Sequence, residues 1–451
     1  MNDEGTLPSE FLQRVNDAIS VVEKCDNVRI ISHYDADGIA SAGVVCGALL
    51  KRKKDFHVSM VRNLNAQAIV QILAKPNFDC LIISDMGSSF IEIFEKAKTP
   101  VIILDHHSPP MDSKGIFHLN PHIFGIDGMT GASASSLCQI FAVCIDDSNW
   151  EFLPVAFAGI VGDRQHVRGM KGINEYLLKV GCDKKIVEIR QGSVIQDGKI
   201  RDAIYYSVDP YFKGLSGNED AVRQFLAFAG INPETLVQEL NENDRRKLVS
   251  LLALRLLGQG CTLDTLEEVT QERIYFAEWK LYASELASIL NACGRTGNES
   301  VGLGVTLRDE KSIVKATELR KIYKESILSS LRALESDGVR KLNNIQYFFT
   351  DDSNTAGTIC GLVMQYLADR DKPTIAISKG NHESRISSRA TFVLLSKGVD
   401  LSEALKESAM AVGGTGGGHA IASGATIPRG TEEKFLEILD ATIAKQKNAS
   451  A

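Results

Sequence analysis

Ser32-His33-Tyr34-Asp35-Ala36-Asp37-Gly38 follows the apolar run Val28–Ile31 and precedes Ile39–Leu50, a small-residue stretch compatible with a helix. The heptad thus stands at the exit of a buried strand, with one histidine and two carboxylates within five residues. Buried carboxylates repel one another and resist desolvation unless a cation or a proton neutralises them. Imidazole nitrogen with carboxylate oxygen suits manganese, iron or zinc better than calcium, which takes an all-oxygen shell. A solvated Asx-rich turn closing on glycine has the same composition. The heptad alone leaves both readings open.

The runs that follow decide between them. Asp79–Ser84 ends at Asp85-Met86-Gly87, Pro100–Leu104 ends at Asp105-His106-His107, and Val155–Val161 runs into Gly162-Asp163. β-branched-rich runs alternating with helix-length segments predict βαβ units and a parallel sheet. In an open parallel sheet, ligands bind outside the carboxyl ends of the strands. His33, Asp35, Asp37, Asp85, Asp105, His106 and His107 are therefore expected to converge on one edge, joined by Asp163 from a later helix or loop. Four charged clusters, each directly after an apolar run, favour a metal site over surface turns.

Five carboxylates and three histidines exceed the needs of one ion. Two ions about 4 Å apart would use them all, sharing a carboxylate and activating a bridging water near neutral pH. Such a pair stabilises both the attacking and the leaving oxygen at phosphorus. Phosphoester hydrolysis is the predicted reaction class.

These residues carry a resemblance to a known family. His33-x-Asp35-x-Asp37-Gly38, Asp85, Asp105-His106-His107 and Gly162-Asp163 resemble, in order and spacing, the four successive motifs of the DHH phosphoesterase superfamily. Gly413-Gly414-Thr415-Gly416-Gly417-Gly418-His419, with Arg385-x-Ser387-x-Arg389 before it, is similar to the signature of the DHH-associated C-terminal domain. Within the superfamily the chain resembles the RecJ-like exonucleases of archaea. Asn291-Ala292-Cys293-Gly294-Arg295 and Ser207-x-Asp209-Pro210-Tyr211 carry that finer likeness.

The resemblance implies an α/β protein: a parallel-sheet DHH domain, a helical middle segment and a smaller α/β C-terminal domain, with the active site in the cleft between them. It implies two manganese (or magnesium) ions held by His33, Asp35, Asp37, Asp85, His106 and Asp163, with Asp85 as the bridge. Asp105 is expected to orient a neighbouring histidine, and His107 to face the substrate phosphate as donor to the developing charge or the leaving oxygen. Asp37 counts with these two among the catalytic residues. Arg295, Arg385, Arg389, Gly416, Gly417, Gly418 and His419 are expected to hold substrate phosphates.

Read without the resemblance, the glycine stretch lacks both the lysine of a nucleotide P-loop and G-x-G-x-x-G spacing. Its glycines expose backbone N–H groups and admit a phosphate closely, but a flexible interdomain loop fits equally. Arg295 by itself reads as well as a surface ion pair.

The 451 residues allow two or three domains with ample core. Hydrophobic content of 44% and charged content of 24% are those of globular chains. No apolar run approaches the length of a membrane span, and the acidic start MNDEGTLPSE is no secretory signal. The nine cysteines form no C-x-x-C pair, and Cys46, Cys80, Cys138 and Cys144 lie in apolar runs. They read as reduced core residues of a cytoplasmic protein.

A net charge of −7 argues against a broad duplex-binding face and for a narrow single-strand groove. Lys51-Arg52-Lys53-Lys54 is the only concentrated basic run, and it reads as the solvated end of the helix after Gly38.

Composition and motifs place a DHH domain over 1–185, a mainly helical connector over 186–310 and a DHH-associated substrate-binding domain over 311–451. Asp220–Ala229 and Asp244–Leu257 show helical spacing, and Asn232-Pro233-Glu234 resembles a helix start. Ser312–Glu335 reads as a long helix, Ile345–Phe349, Thr374–Ser378 and Arg385–Ser388 as strands, and Lys445–Ala451 as a frayed tail.

The implied activity is metal-dependent hydrolysis at the end of single-stranded DNA or RNA, in archaeal replication or repair. A GINS or repair-helicase partner belongs to that picture, and a membrane does not. Polarity is not written in the motifs. Bacterial RecJ proteins degrade 5′ to 3′ with an extra OB-type domain for which this chain has no room, so its compactness points towards 3′ to 5′. A phosphodiesterase of short oligonucleotides or cyclic dinucleotides shares the chemistry, and a replisome scaffold shares the architecture. The manganese pyrophosphatases differ, with His-x-x-x-Asp-x-Asp and shorter chains.

Overall fold

A computed structural model describes residues 7–74, 77–167 and 169–449. The apolar runs of the first third become β1 (Asn27–His33), β2 (Asp55–Val61), β3 (Cys80–Ser84), β4 (Val101–Leu104) and β5 (Phe117–Leu119). All neighbours are parallel, in the order β2-β1-β3-β4-β5. β3 and β4 are buried along their whole length, as strands covered on both faces must be. Ser32 pairs with Ser84, and Ser84 with Leu104. Three strands therefore end level, and whatever follows them emerges on one edge.

The helix Ala36–Lys51 is buried from Ala36 to Leu49. Its run of alanine, glycine and serine lets the helices Ala134–Ile145 and Leu153–Gly162 pack directly against it. At its end the basic run is spent locally. Lys51 Nζ lies 2.7 Å from Glu151, and Lys54 Nζ donates to the carbonyls of Glu23 and Cys25. These contacts match the helix-end reading of Lys51–Lys54. The run Val155–Val161 belongs to the helix Leu153–Gly162, so Asp163 leaves a helix end while the other three clusters leave strands.

The chain divides into two compact units, Met1–Gln191 with Glu272–Lys321, and Gly192–Gln271 with Ile322–Ala451. The connector read over 186–310 is shared between them. The cause is a small antiparallel sheet: β6 (Glu188–Arg190) pairs with β7 (Arg273–Phe276), and β7 with β8 (Leu281–Tyr282), drawing the later segment back to the first unit. The helix Glu310–Asp337 then runs on into the second.

In the second unit the helices Glu219–Ala229 and Glu242–Gly258 form where the periodicity places them. Asn232-Pro233-Glu234 does not start a helix. The Asn232 carboxamide accepts from the Glu234 N–H, and the Pro233 and Thr235 carbonyls are taken by Arg201 and Ile200, which holds the segment in a turn. Ser207-x-Asp209-Pro210-Tyr211 is also structural here: Ser207 donates to the Pro210 carbonyl at 2.6 Å, and the Tyr211 hydroxyl to Glu335 at 2.8 Å.

A six-stranded sheet completes this unit: β9 (Arg340–Lys341), β10 (Gln346–Thr350), β11 (Thr374–Lys379), β12 (Glu383–Arg389), β13 (Thr415–His419) and β14 (Ala422–Pro428), in the order β13-β14-β12-β11-β10-β9. Ile375, Ile377, Ile386 and Ile427 on one face pack against Leu401 and Leu405 of the helix Leu401–Ala411 and Phe435 and Leu439 of the helix Glu432–Ala449. The expected tail is thus helical through Ala449, with Ser450 and Ala451 outside the described residues, as are Met1–Thr6. Cys46, Cys80 and Cys138 are buried, but Cys144 is exposed. No helix among the described residues is long and apolar enough to cross a membrane.

Candidate metal centre

The level strand ends bring two triads of ligand groups together. His33 closes β1; its Nδ1 lies 3.0 Å from Asp35 Oδ2 and 3.3 Å from Asp85 Oδ2. His106, two residues beyond β4, has Nε2 at 3.3 Å from both Asp85 Oδ1 and Asp163 Oδ2. His33, Asp35 and Asp85 offer ligand atoms within 4.8 Å of one another, and so do Asp37, His106 and Asp163. Asp85 touches a member of each set. Its backbone is left-handed, with φ +57, which aspartate tolerates better than most residues, and its N–H donates to the Leu104 carbonyl at 3.0 Å.

Asp35, Asp37 and His106 are each held from behind. The Asp35 carboxylate caps the helix Ala36–Lys51 by accepting from the Gly38 N–H at 3.2 Å. Asp37 is wholly buried and accepts from the N–H groups of Ala134 and Ser135 at 2.8 and 3.1 Å, at the N-terminus of the next helix. His106 Nδ1 donates to the Gly128 carbonyl at 2.7 Å, which directs Nε2 towards Asp85 and Asp163. Gln165 donates to the same carbonyl at 2.9 Å, and Asn174 to Gln165 at 2.7 Å.

Electrostatics mark a site short of positive charge. Burial, reinforced by Asp85, pushes the Asp37 carboxyl up to about 6. Burial and Asp37 push Asp163 well above the usual range. Burial opposes the charge on Asp35, yet His33 outweighs it and, with Arg295 nearby, holds that carboxyl low. Burial likewise opposes charge on His106, but Asp85 and Asp163 lift it well above an ordinary imidazole. Protons are thus shared among groups that a dication would satisfy better. Imidazole nitrogens and carboxylate oxygens in this arrangement are a donor set that could hold divalent metal ions.

Asp105 and His107 form a further set with Asp85, their ligand atoms again within 4.8 Å of one another. Asp105 accepts from the Ser88 N–H at 2.9 Å and lies 2.7 Å from His107 Nδ1. Burial works against the charge on His107, but Asp105 raises it above the ordinary imidazole value. Asn120 donates to the His107 carbonyl at 2.8 Å and to Ser88 Oγ at 3.0 Å, fixing the loop from both ends.

Comparison with known proteins places this arrangement. Residues 27–160 match the DHH family, N-terminal domain, and residues 343–445 match the DHHA1 domain. An uncharacterized protein of Methanocaldococcus jannaschii is 32% identical over 447 residues, covering 96% of this chain and 98% of that one. The chain belongs to the DHH family. Its fold is RecJ-like: RecJ from Thermus thermophilus, solved with Mn2+, superposes with a TM-score of 0.62 at 14% identity, covering 98% of this chain. The match spans 56% of that RecJ, about half its length. CDC45 from Entamoeba histolytica superposes with a TM-score of 0.63 at 11% identity, over 97% of this chain and 99% of that one. At these identities the likeness to both is one of fold.

Around the DHH centre, the helix Ala283–Arg295 supplies Asn291, whose Oδ1 accepts from the Ala36 N–H at 3.2 Å, and Arg295, which bonds the Tyr34 hydroxyl. Arg295 and Arg62 lie over the Tyr34 ring at 4.9 and 5.0 Å. Gly294 permits this approach, because a Cβ there would fall 1.8 Å from the Tyr34 carbonyl oxygen. Gly294→Ala is expected to push the helix off the metal loop and to cost about 3 kcal/mol. Thermal unfolding checks the cost; an unchanged melting temperature would contradict the packing.

In the DHHA1 domain, the register aligns three rows across β12, β14 and β13: Arg385–Thr426–Thr415, Ser387–Gly424–Gly417 and Arg389–Ala422–His419. Small residues form the middle of one face, flanked by Arg385 at one end and by Arg389 and His419 at the other. The glycine stretch is therefore an edge strand, where the sequence allowed a flexible loop. Gly416 and Gly418 fall on the alternate face from Gly417, and a Cβ on Gly416 would meet the Leu405 carbonyl at 2.8 Å. Packing against the helix Leu401–Ala411 accounts for Gly416.

Sequence reasoning passed over Arg62, Asn120, Gln165 and Asn174. The first two obey the rule that found Asp85 and Asp105. Arg62 directly follows β2, and Asn120 directly follows β5. Gln165 and Asn174 act on a backbone carbonyl, and no spacing announces that.

Proposed function

We propose that this chain is a two-metal phosphodiesterase that removes nucleotides from the end of single-stranded DNA or RNA. The observation that carries the reading is Asp85, one carboxylate in contact with both triads. His33 and Asp35 would hold one ion, Asp37, His106 and Asp163 the other, and Asp85 both. When bound, the two ions supply a hydroxide at neutral pH and charge for the attacking and leaving oxygens. Asp105 fixes the His107 ring, so that His107 is placed to donate to the leaving oxygen. Arg62 and Arg295, paired on Tyr34, hold a phosphate beside the ligands. In the DHHA1 domain, the Arg385, Arg389, Gly417 and His419 face holds a phosphate of the substrate.

Manganese is the favoured ion and magnesium the substitute, because two imidazoles sit among the ligands. The complete ligand set favours an enzyme over a replisome scaffold, and a net charge of −7 favours single strands over duplex. The setting is cytoplasmic replication or repair, beside a GINS or helicase partner, with digestion 3′ to 5′. Single strands labelled at either end test this, as DNA and RNA, with manganese and magnesium compared. The expected result is manganese-dependent release of mononucleotides from the 3′ end. Cleavage of dinucleotides with long strands untouched would replace the exonuclease by a short-oligonucleotide phosphodiesterase.

A further inference from the structure

The β6-β7-β8 sheet carries a stack of side chains that the metal centre does not use. Alternation along β7 buries Ile274 and Phe276 and turns Arg273 and Tyr275 to the other face. Arg190 on β6 pairs with Arg273, Glu188 with Tyr275, and Tyr275 with Tyr282 on β8. The Arg190 guanidinium lies 3.2 Å from the Tyr275 ring centre, and that of Arg273 lies 3.6 Å from Tyr282. The two rings meet edge to face at 5.1 Å. The Arg190 side chain is 41% exposed, and Arg273 and Tyr275 are partly exposed.

Like charges directly opposite in a ladder repel. Among the described residues Glu188, 2.8 Å from Arg190, is the one carboxylate ion-paired with either arginine. Two guanidiniums thus stand on this face with one ion-paired carboxylate between them, each lying over a tyrosine ring. We propose that this face binds a single strand of nucleic acid, its arginines taking phosphates and its stacked planes taking bases.

The placement fits. β8 leads straight into the helix Ala283–Arg295, whose far end carries Asn291 and Arg295 beside the metal ligands. Thirteen residues span about 20 Å, the rise of about six stacked nucleotides. A strand with its end at the metal centre reaches the sheet only when it is longer than that. This length argument rests on the exonuclease reading; the contact itself can be measured without hydrolysis.

The test uses the full chain with divalent ions chelated, and labelled oligothymidylates of about 12 and about 3 nucleotides, followed by fluorescence anisotropy. The unmodified chain is expected to bind the longer strand at least about tenfold tighter. Arg190→Gln with Arg273→Gln removes that advantage and lowers the slope of log affinity against log salt by about 1.4, or 0.7 per phosphate contact. Tyr275→Leu, which keeps apolar bulk on the face, weakens the longer strand about tenfold. Unchanged affinity and slope in both variants would overturn the proposal, as would equal affinity of the unmodified chain for both strands. Competition by oligoglutamate as strong as by DNA would also overturn it, in favour of an acidic peptide. A chain that binds in this way but cuts nothing keeps the sheet contact and loses the metal-centre reading; cutting with sheet-independent binding does the reverse.

Discussion

Asp163→Asn is expected to abolish hydrolysis and, without metal, to leave the chain more stable than before. The first effect follows from removing one ligand of a triad. Losing several kcal/mol of charge stabilisation corresponds to about 10³-fold in rate or more. The second follows from repulsion. Burial and Asp37 raise Asp163 well above an ordinary carboxyl, so the charged form works against the folded chain. An amide of the same shape removes that charge. The sign carries over to pH. Groups whose folded value is raised bind more protons folded than unfolded, so their stability is lost as pH rises through the folded value. Asp37 (about 6), Asp163, His33 and His106 all lie on that side. The metal-free chain should therefore melt at a falling temperature between about pH 5 and about pH 7.5, and less steeply in Asp163→Asn. Saturating manganese should flatten the fall, since metal binding releases those protons. Thermal scans across pH, with and without manganese, check all three; a flat metal-free profile would contradict the charge balance.

His107→Ala should divide what Asp163→Asn removes together. His107 is oriented by Asp105, and although its ring also comes within 4.8 Å of Asp85, the proposed ion-holding triads do not use it, so its loss should lower kcat by about 10² to 10⁴ while manganese binding is retained. Asn120, which holds the His107 carbonyl, gives the graded version: Asn120→Ala should lower kcat by less than His107→Ala does. Stopped-flow turnover beside a manganese titration separates the two effects. Parallel loss of turnover and metal affinity in His107→Ala would make His107 a ligand and remove it as a donor.

The metal loops were legible because each strand is short, buried and ended by its own polar residue. Val28–Ile31, Asp79–Ser84 and Pro100–Leu104 could only be central parallel strands, and the sheet edge then followed for Asp85, Asp105 and His106. The same rule reached Arg62 and Asn120, but these residues look like ordinary surface polarity when read alone. Val155–Val161 has no period that separates a buried helix from a buried strand, and the structure makes it a helix. Local signals failed where distant backbone competed. Pro233 reads as a helix start, but hydrogen bonds to Ile200 and Arg201 hold its segment in a turn. The division at Gln191 and Gln271 depends on pairing between β6 and β7, more than eighty residues apart in sequence and invisible to any window.

The most direct test of the two-metal centre is a count of ions. Equilibrium dialysis against manganese followed by elemental analysis should give two ions per chain for the unmodified protein. Asp85→Asn should bring that count below one, because Asp85 contacts both triads. A single ion per chain, or two ions unaffected by Asp85→Asn, would contradict the account.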